Sequence, residues 1–353
     1  MATKNMLQRG IAVLLISGVC VSCTDRPAPR RPLGSFEAAV VFGVVARSGE
    51  GFVHSEIWAG EADGRFSKLS LDPVCYNRSP APSPDGKRIV FVACSDPYVV
   101  DLYIVNADGS ELRNLTRATD REETPFWSPD GIHIAYQTML GGTKDITIVD
   151  SSGGGFFKAA QQSFGDCILG GWSPDGKYLV YYETSHDTTD QATQIALTAV
   201  FGADRRKLTT GPGRKLSPSW SPRGDQIAYV KDGRLHTILI TGERDVELTE
   251  SPDSVEGPIR WTSDGQFLVF AAHPDGQSDI YRIRSTGENL VNLTVNYHRG
   301  FDPAISPDDR QIAYIADLGY RRKVYLMNMD GTAKRPLSYF NADEFHPVWR
   351  ASQ

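Results

Sequence analysis

Residues 124–150 read TPFWSPDGIHIAYQTMLGGTKDITIVD, and this stretch decides the fold. Residues 126–128 form a short apolar strand. Pro129-Asp130-Gly131 turns it back, with proline presetting φ and glycine free to take φ > 0. Residues 134–137 are β-branched and aromatic, as a strand prefers. A Gly-Gly loop leads to an alternating strand at 146–149. The pattern predicts three antiparallel strands and two turns, and the chain repeats it.

Aligned on the turn serine or its equivalent, the copies fall at Ser83, Ser128, Ser173, Ser221, Thr262, Ser306 and Arg350, with spacings of 41 to 48 residues. Tryptophan precedes five of these positions, as Trp127, Trp172, Trp220, Trp261 and Trp349. Eight residues after the first six stand Phe91, Tyr136, Tyr181, Tyr229, Phe270 and Tyr314. Aromatic residues held in phase over this many units mark a structural repeat. Each unit offers four strands, A to D. The C strands begin near Ile57, Leu102, Ile146, Ile195, Leu235, Ile280 and Val324. Most D strands end in Leu-Thr or Leu-Ser, as at Leu115-Thr116 and Leu337-Ser338; the third unit, with Phe157-Lys158-Ala159, reads as a poor D strand.

Units of this length, with four short strands and no helical period, predict an all-β propeller of seven four-stranded blades, with six as the alternative. Before Ser83 the sequence holds only the B, C and D strands of a unit, with Val40 and Phe42 in the B positions. The missing A strand matches Phe345-His346-Pro347-Val348-Trp349 at the other end. The C-terminal strand is therefore expected to join the N-terminal blade and close the ring, hiding an edge that would invite aggregation.

The PxWSPDG…I.Y…DIY…DG…LT pattern, clearest at 125–131 and 218–224, resembles the TolB-type, WD-like (PD40) propeller repeat of bacterial envelope proteins. The resemblance covers essentially residues 37–350. It implies the propeller fold and a place in the cell envelope, but not one activity, since this repeat also occurs in peptidases and binding proteins. TolB itself has six blades, an additional α/β domain and a peptidoglycan-associated lipoprotein as partner, whereas seven units are visible here.

Ahead of the repeats, residues 1–22 read as a lipoprotein-type signal peptide: Lys4 and Arg9 precede an apolar run at 11–21, too short to span a bilayer. Its end resembles a bacterial lipoprotein cleavage site, with Cys23 as the lipid acceptor and Cys20 where that family usually has leucine. Residues 23–35 are rich in proline and arginine and read as a flexible tether. Residues 36–353 are left as a single propeller domain. Removal of the signal shifts the net charge from −6 to −8, and no basic run offers itself to nucleic acid. In an exported protein Cys75 and Cys94 are candidates for a disulfide, with Cys167 left over, and the cysteine spacing does not suit zinc.

Signals for catalysis are scarce. Gly171-Trp172-Ser173 lacks the second glycine of a nucleophile elbow, and no phosphate loop or HExxH motif is present. The aspartates Asp85, Asp130, Asp175 and Asp264 recur as turn residues. His133, on an A–B turn, and His236, in a C strand, read as surface or packing residues.

The topology directs attention to the face carrying the long B–C and D–A loops, because binding concentrates in variable loops on a rigid scaffold. The residues four before each turn position are expected just before strand A, ringing the channel mouth: Ser79, Thr124, Leu169, Ser217, Pro258, Asp302 and His346, with Glu123, Glu256 and His298 nearby. Converging carboxylates there would favour a divalent cation or a basic side chain; no other cofactor is expected. The expected function is a non-enzymatic scaffold of the cell envelope, lipid-anchored and binding a protein or glycan. The alternative is a metal-assisted carbohydrate-active or sugar-binding propeller with His298, Asp302 and His346 at the mouth.

Overall fold

The computed structural model describes residues 39–47, 53–61, 64–70, 76–96, 99–117, 121–185, 192–201, 204–250, 254–274, 276–295 and 297–351. The signal peptide, Cys23, the tether and Cys75 lie outside these residues. The described residues form seven four-stranded antiparallel sheets. The seven-bladed reading holds and the six-bladed alternative falls.

Blade 1 is the composite one, pairing the C-terminal strand Glu344–Arg350 with Ala39–Arg47, followed by Val53–Gly60 and Phe66–Lys68. Val40 faces Trp349 and Val44 faces Glu344 across the join. The A strands of blades 2 to 7 are Arg78–Pro82, Arg121–Trp127, Cys167–Trp172, Lys215–Trp220, Val255–Trp261 and Arg299–Ile305. Each A strand touches the A strands of both neighbours, so the seven form the inner ring around the channel.

The repeated aromatic is the reason the sheets stack. Phe42, Phe91, Tyr136, Tyr181, Tyr229, Phe270 and Tyr314 are all essentially buried. Seven hydrophobic clusters form among the described residues, one at each blade-to-blade interface, including that between blades 7 and 1. A single blade could cover neither face; radial stacking covers both.

The recurrent tryptophan has a second task that periodicity does not reveal. Its indole N–H reaches the inner strand of the preceding blade: Trp127 to the Ala81 carbonyl, Trp172 to Phe126, Trp349 to Ala304, each at 2.9 Å, and Trp261 to Ser219 at 3.2 Å. In blade 5 the buried Nε1 of Trp220 has no acceptor.

The D-strand threonine or serine works within its blade. Its hydroxyl accepts from a C-strand amide, as in Leu102 to Thr116 at 3.1 Å and Ile280 to Thr294 at 3.0 Å. The third unit departs from expectation, because Phe157–Ala160 does form the D strand of blade 3, pairing with Ile146, Thr147 and Ile148. Ladder pairing uses backbone groups, and Phe157 gains a ring contact to Phe201 at 5.1 Å that a Leu-Thr pattern would not reveal.

The turn aspartates serve their own turns. In blade 2 Ser83 donates to Asp85 at 2.6 Å, and the Lys87 amide donates to the same carboxylate at 3.0 Å. These bonds, the serine or threonine hydroxyl foremost, hold Asp85, Asp175 and Asp264 below the usual carboxylate range. His133 packs edge-on to Phe201, and His236 is buried with Nδ1 3.0 Å from Asp245, so both are packing residues.

Candidate functional site

The A strands begin earlier than their sequence pattern suggests, and the residues expected just before them lie inside them. In every blade the A–B register slips at this point, marking a bulge, for example between Glu123 and Phe126 or between Phe301 and Ala304. At five of the seven bulges the residue before proline is left-handed: Ser79 (φ 52°), Thr124 (50°), Ser217 (54°), Asp302 (48°) and His346 (49°). Non-glycine residues seldom adopt this region, and the β-branched Thr124 pays most for it. A bulge of this kind re-aims a side chain and bends its strand. The following prolines, Pro80, Pro125, Pro218, Pro303 and Pro347, remove one N–H from an edge that faces the channel, which discourages strand addition.

Neighbouring bulges touch, so they form one rim. Asp302 and His346, on blades 7 and 1, meet with Oδ2 2.9 Å from Nδ1. A Cβ on Gly257 would lie 2.3 Å from the Ser217 hydroxyl, and one on Gly170 would lie 2.5 Å from the Pro218 carbonyl. Blade 4 differs from its neighbours. Leu169 is buried in the core between blades 3 and 4, not on the rim, and the register slips next to it at Gly170-Gly171.

Of the charged residues expected to converge, Asp302 and His346 meet, while Glu123, Glu256 and His298 are engaged elsewhere. Glu123 is held by three cations: Lys144 at 2.8 Å, with Arg78 and Arg121 each at 3.2 Å. Burial pushes its carboxyl up, but these cations outweigh burial and hold it below the usual range. Glu256 pairs with His273 of its own blade at 3.4 Å. His298 leaves the rim altogether, because its ring packs on Tyr297 at 4.6 Å and Tyr325 at 5.8 Å. The expected His298, Asp302 and His346 constellation is therefore not assembled. Among the described residues, no group of three or more histidine, cysteine, aspartate or glutamate side chains is placed to hold a metal ion.

Two features of this region are invisible to sequence reasoning. Arg260 lies in the inner strand of blade 6, and its Nε donates to the Pro303 carbonyl of blade 7 at 3.2 Å. Burial holds its guanidinium below the usual arginine range, with Asp302 acting in the opposite sense. Glu122 and Glu344, at equivalent positions entering blades 3 and 1, are fully buried. Each accepts a C-strand amide of the preceding blade at 2.8 Å, Leu102 for Glu122 and Val324 for Glu344. Only the repeat phase of the two glutamates hinted at a shared task.

Of the cysteines, Cys94 is disulfide-bonded, while its expected partner Cys75 lies outside the described residues. Cys167 is a free buried thiol, pushed up to about 12 by burial.

Comparison with known proteins accords with this architecture. The family profile PD40, TolB beta propeller domain, matches residues 55–258 and 185–353. The TolB homolog of Chlorobium luteolum (strain DSM 273 / BCRC 81028 / 2530) is 27% identical over 268 residues, covering 75% of this chain and 60% of that protein. The uncharacterized peptidase YuxL of Bacillus subtilis (strain 168) is 27% identical over 211 residues, covering 59% of this chain and 29% of the peptidase. The chain thus spans less than two thirds of the length of the curated relatives it matches. The crystal structure of TolB from Acinetobacter baumannii superposes with a TM-score of 0.58 at 18% identity, covering 90% of this chain and 67% of that one. That likeness is one of fold.

Proposed function

The chain belongs to the TolB beta-propeller family, and from that premise we propose that it is a non-enzymatic interaction module of the cell envelope. It holds a protein or glycan partner at the long-loop mouth of its channel and is tethered to the envelope through lipid on Cys23. The observation that carries the reading is the rim of left-handed residues. Ser79, Thr124, Ser217, Asp302 and His346 share one backbone conformation at one end of the channel. Each costs on the order of 1–3 kcal/mol, and strain of this kind gathers at binding surfaces. On the short-turn face, by contrast, Asp85, Asp130, Asp175 and Asp264 are bonded within their own turns.

The test is capture of a partner from envelope extract by the anchored protein, with mass-spectrometric identification. Asp302→Asn combined with His346→Gln is expected to reduce capture of that partner. Asp175→Asn combined with Asp264→Asn, on the opposite face, is expected to leave it intact. The reverse pattern would place the working face at the wrong end.

The likeness to YuxL favours a second reading, in which the propeller serves a peptidase. Hydrolysis of short peptide amides by the purified full chain would support that reading over the first.

A further inference from the structure

One position of the inner ring breaks its own pattern. Two residues before each turn position stand Ala81, Phe126, Gly171, Ser219, Ala304 and Val348 in six blades, none of them ionisable. In blade 6 the same position is Arg260. A guanidinium offers five N–H donors in a planar fork. Among the described residues Arg260 uses one of them, Nε to the Pro303 carbonyl. Its terminal nitrogens have no protein acceptor there, although the side chain is only partly exposed.

The nearest opposite charge does not satisfy it. Asp302 lies close enough to be felt, yet it is not within ion-pair distance of Arg260 and is bonded instead to His346. The rim points the same way. On blades 2 and 3, Arg78, Arg121 and Lys144 all pair with Glu123, so three cations gather on one rim carboxylate. Protein surrounds the Arg260 side chain, yet its terminal nitrogens are open and without a protein acceptor, so an anion can reach them at a small further desolvation cost.

We infer that the channel binds an anionic group, a carboxylate carried by the partner, with the two terminal nitrogens of Arg260 as its bidentate anchor. This rests on the mouth being the working face. A planar carboxylate matches the fork with two parallel N–H···O bonds, a geometry that lysine cannot offer. Arg260 also occupies the wall with a fixed positive charge, which disfavours the divalent cation that converging carboxylates would have invited.

The experiment uses the full chain and glutarate as the probe, with inorganic phosphate and sodium chloride at matched ionic strength. Isothermal titration calorimetry reads affinity. The Arg260 Nε–Hε resonance, assigned by its loss in Arg260→Lys, reads the place. Glutarate is expected to bind one to one and shift that resonance saturably, while chloride gives only a weak, unsaturating drift. Arg260→Gln is expected to weaken glutarate at least about tenfold, the loss of charge-assisted hydrogen bonds. Arg260→Lys keeps the charge but not the fork, so it also weakens binding. It supplies the answer if the glutamine variant does not fold.

Glutarate binding no better than chloride, or unchanged in both variants, overturns the inference, as does phosphate binding in preference to glutarate. The two proposals can fail separately. Glutarate on Arg260 with partner capture unaffected by Asp302→Asn combined with His346→Gln keeps the anion site and sinks the proposed function. Capture that depends on Asp302 and His346 without glutarate on Arg260 does the opposite.

Discussion

Glu122 and Glu344 occupy equivalent positions in blades 3 and 1, and conservative replacement of each is predicted to act in opposite directions. Glu122 is buried with the Thr116 hydroxyl and the Leu102 amide donating to Oε2, while its Oε1 has no hydrogen-bond partner. Among the described residues no cation pairs with it. Burial, more than any other cause, raises its carboxyl from 4.5 to about 7; nearby Asp101 adds to this, and the bonds to Thr116 and Leu102 oppose it. Between pH 4.5 and 7 the native state therefore binds more protons than the unfolded state, so this group makes stability fall as pH rises. The displacement corresponds to about 3 kcal/mol lost once pH exceeds 7.

Glu122→Gln keeps an acceptor for Leu102 and Thr116 and removes the charge. At pH 5 the variant should match the parent within about 1 kcal/mol, and at pH 8 it should exceed it by up to about 3 kcal/mol. Glu344 is different because the Lys323 ammonium lies 2.6 Å away. Glu344→Gln leaves that lysine buried without its counter-charge and should cost about 3–5 kcal/mol. Urea unfolding of both variants at pH 5 and pH 8 checks the pair, since all other titrating groups cancel against the parent. A Glu122→Gln offset that is identical at the two pH values would refute the assignment of the buried charge, as would destabilisation at pH 8.

Three further outcomes are expected. Deletion of residues 344–353 removes the strand that closes blade 1; loss of Trp349 alone costs about 3–5 kcal/mol, and wild-type melting of the truncated protein would refute ring closure. Trp127→Phe removes an indole bond to the Ala81 carbonyl and should cost about 1–3 kcal/mol, whereas Trp220→Phe, whose Nε1 has no acceptor, should cost at least about 1 kcal/mol less; equal losses in thermal unfolding would show that the indole bonds contribute nothing. Cys23→Ala should move the protein from the membrane to the soluble envelope fraction or block its maturation, since multiple acyl chains hold stably, and an unchanged membrane fraction would remove the anchor.

The sequence by itself determined the repeat and the closing strand and favoured seven blades, while the structure decided seven against six. Those features are periodic: a buried aromatic at one phase, a tryptophan before the turn, and a Ser-Pro-Asp-Gly turn satisfied by its own side chains. Any property that each unit carries locally can be counted along the chain. The closing strand was legible for the same reason, because Phe345 to Trp349 supplied the piece missing before Val40.

What the tertiary structure decided depends on which blade abuts which. Whether Glu123 is a bare carboxylate or a neutralised one rests on Lys144, 21 residues away in its own blade, and on Arg78, 45 residues away in the preceding one. His298 fell within a few residues of Asp302 in sequence, but Tyr297 and Tyr325 hold it away from the rim. The left-handed bulges were hidden because φ at Thr124 or His346 is imposed by strand pairing on one side and the neighbouring bulge on the other. Arg260 was hidden because an arginine is ordinary in a sequence. It becomes singular only where six other blades place uncharged residues at the same phase of the inner ring and, among the described residues, only Nε of its fork finds a protein acceptor.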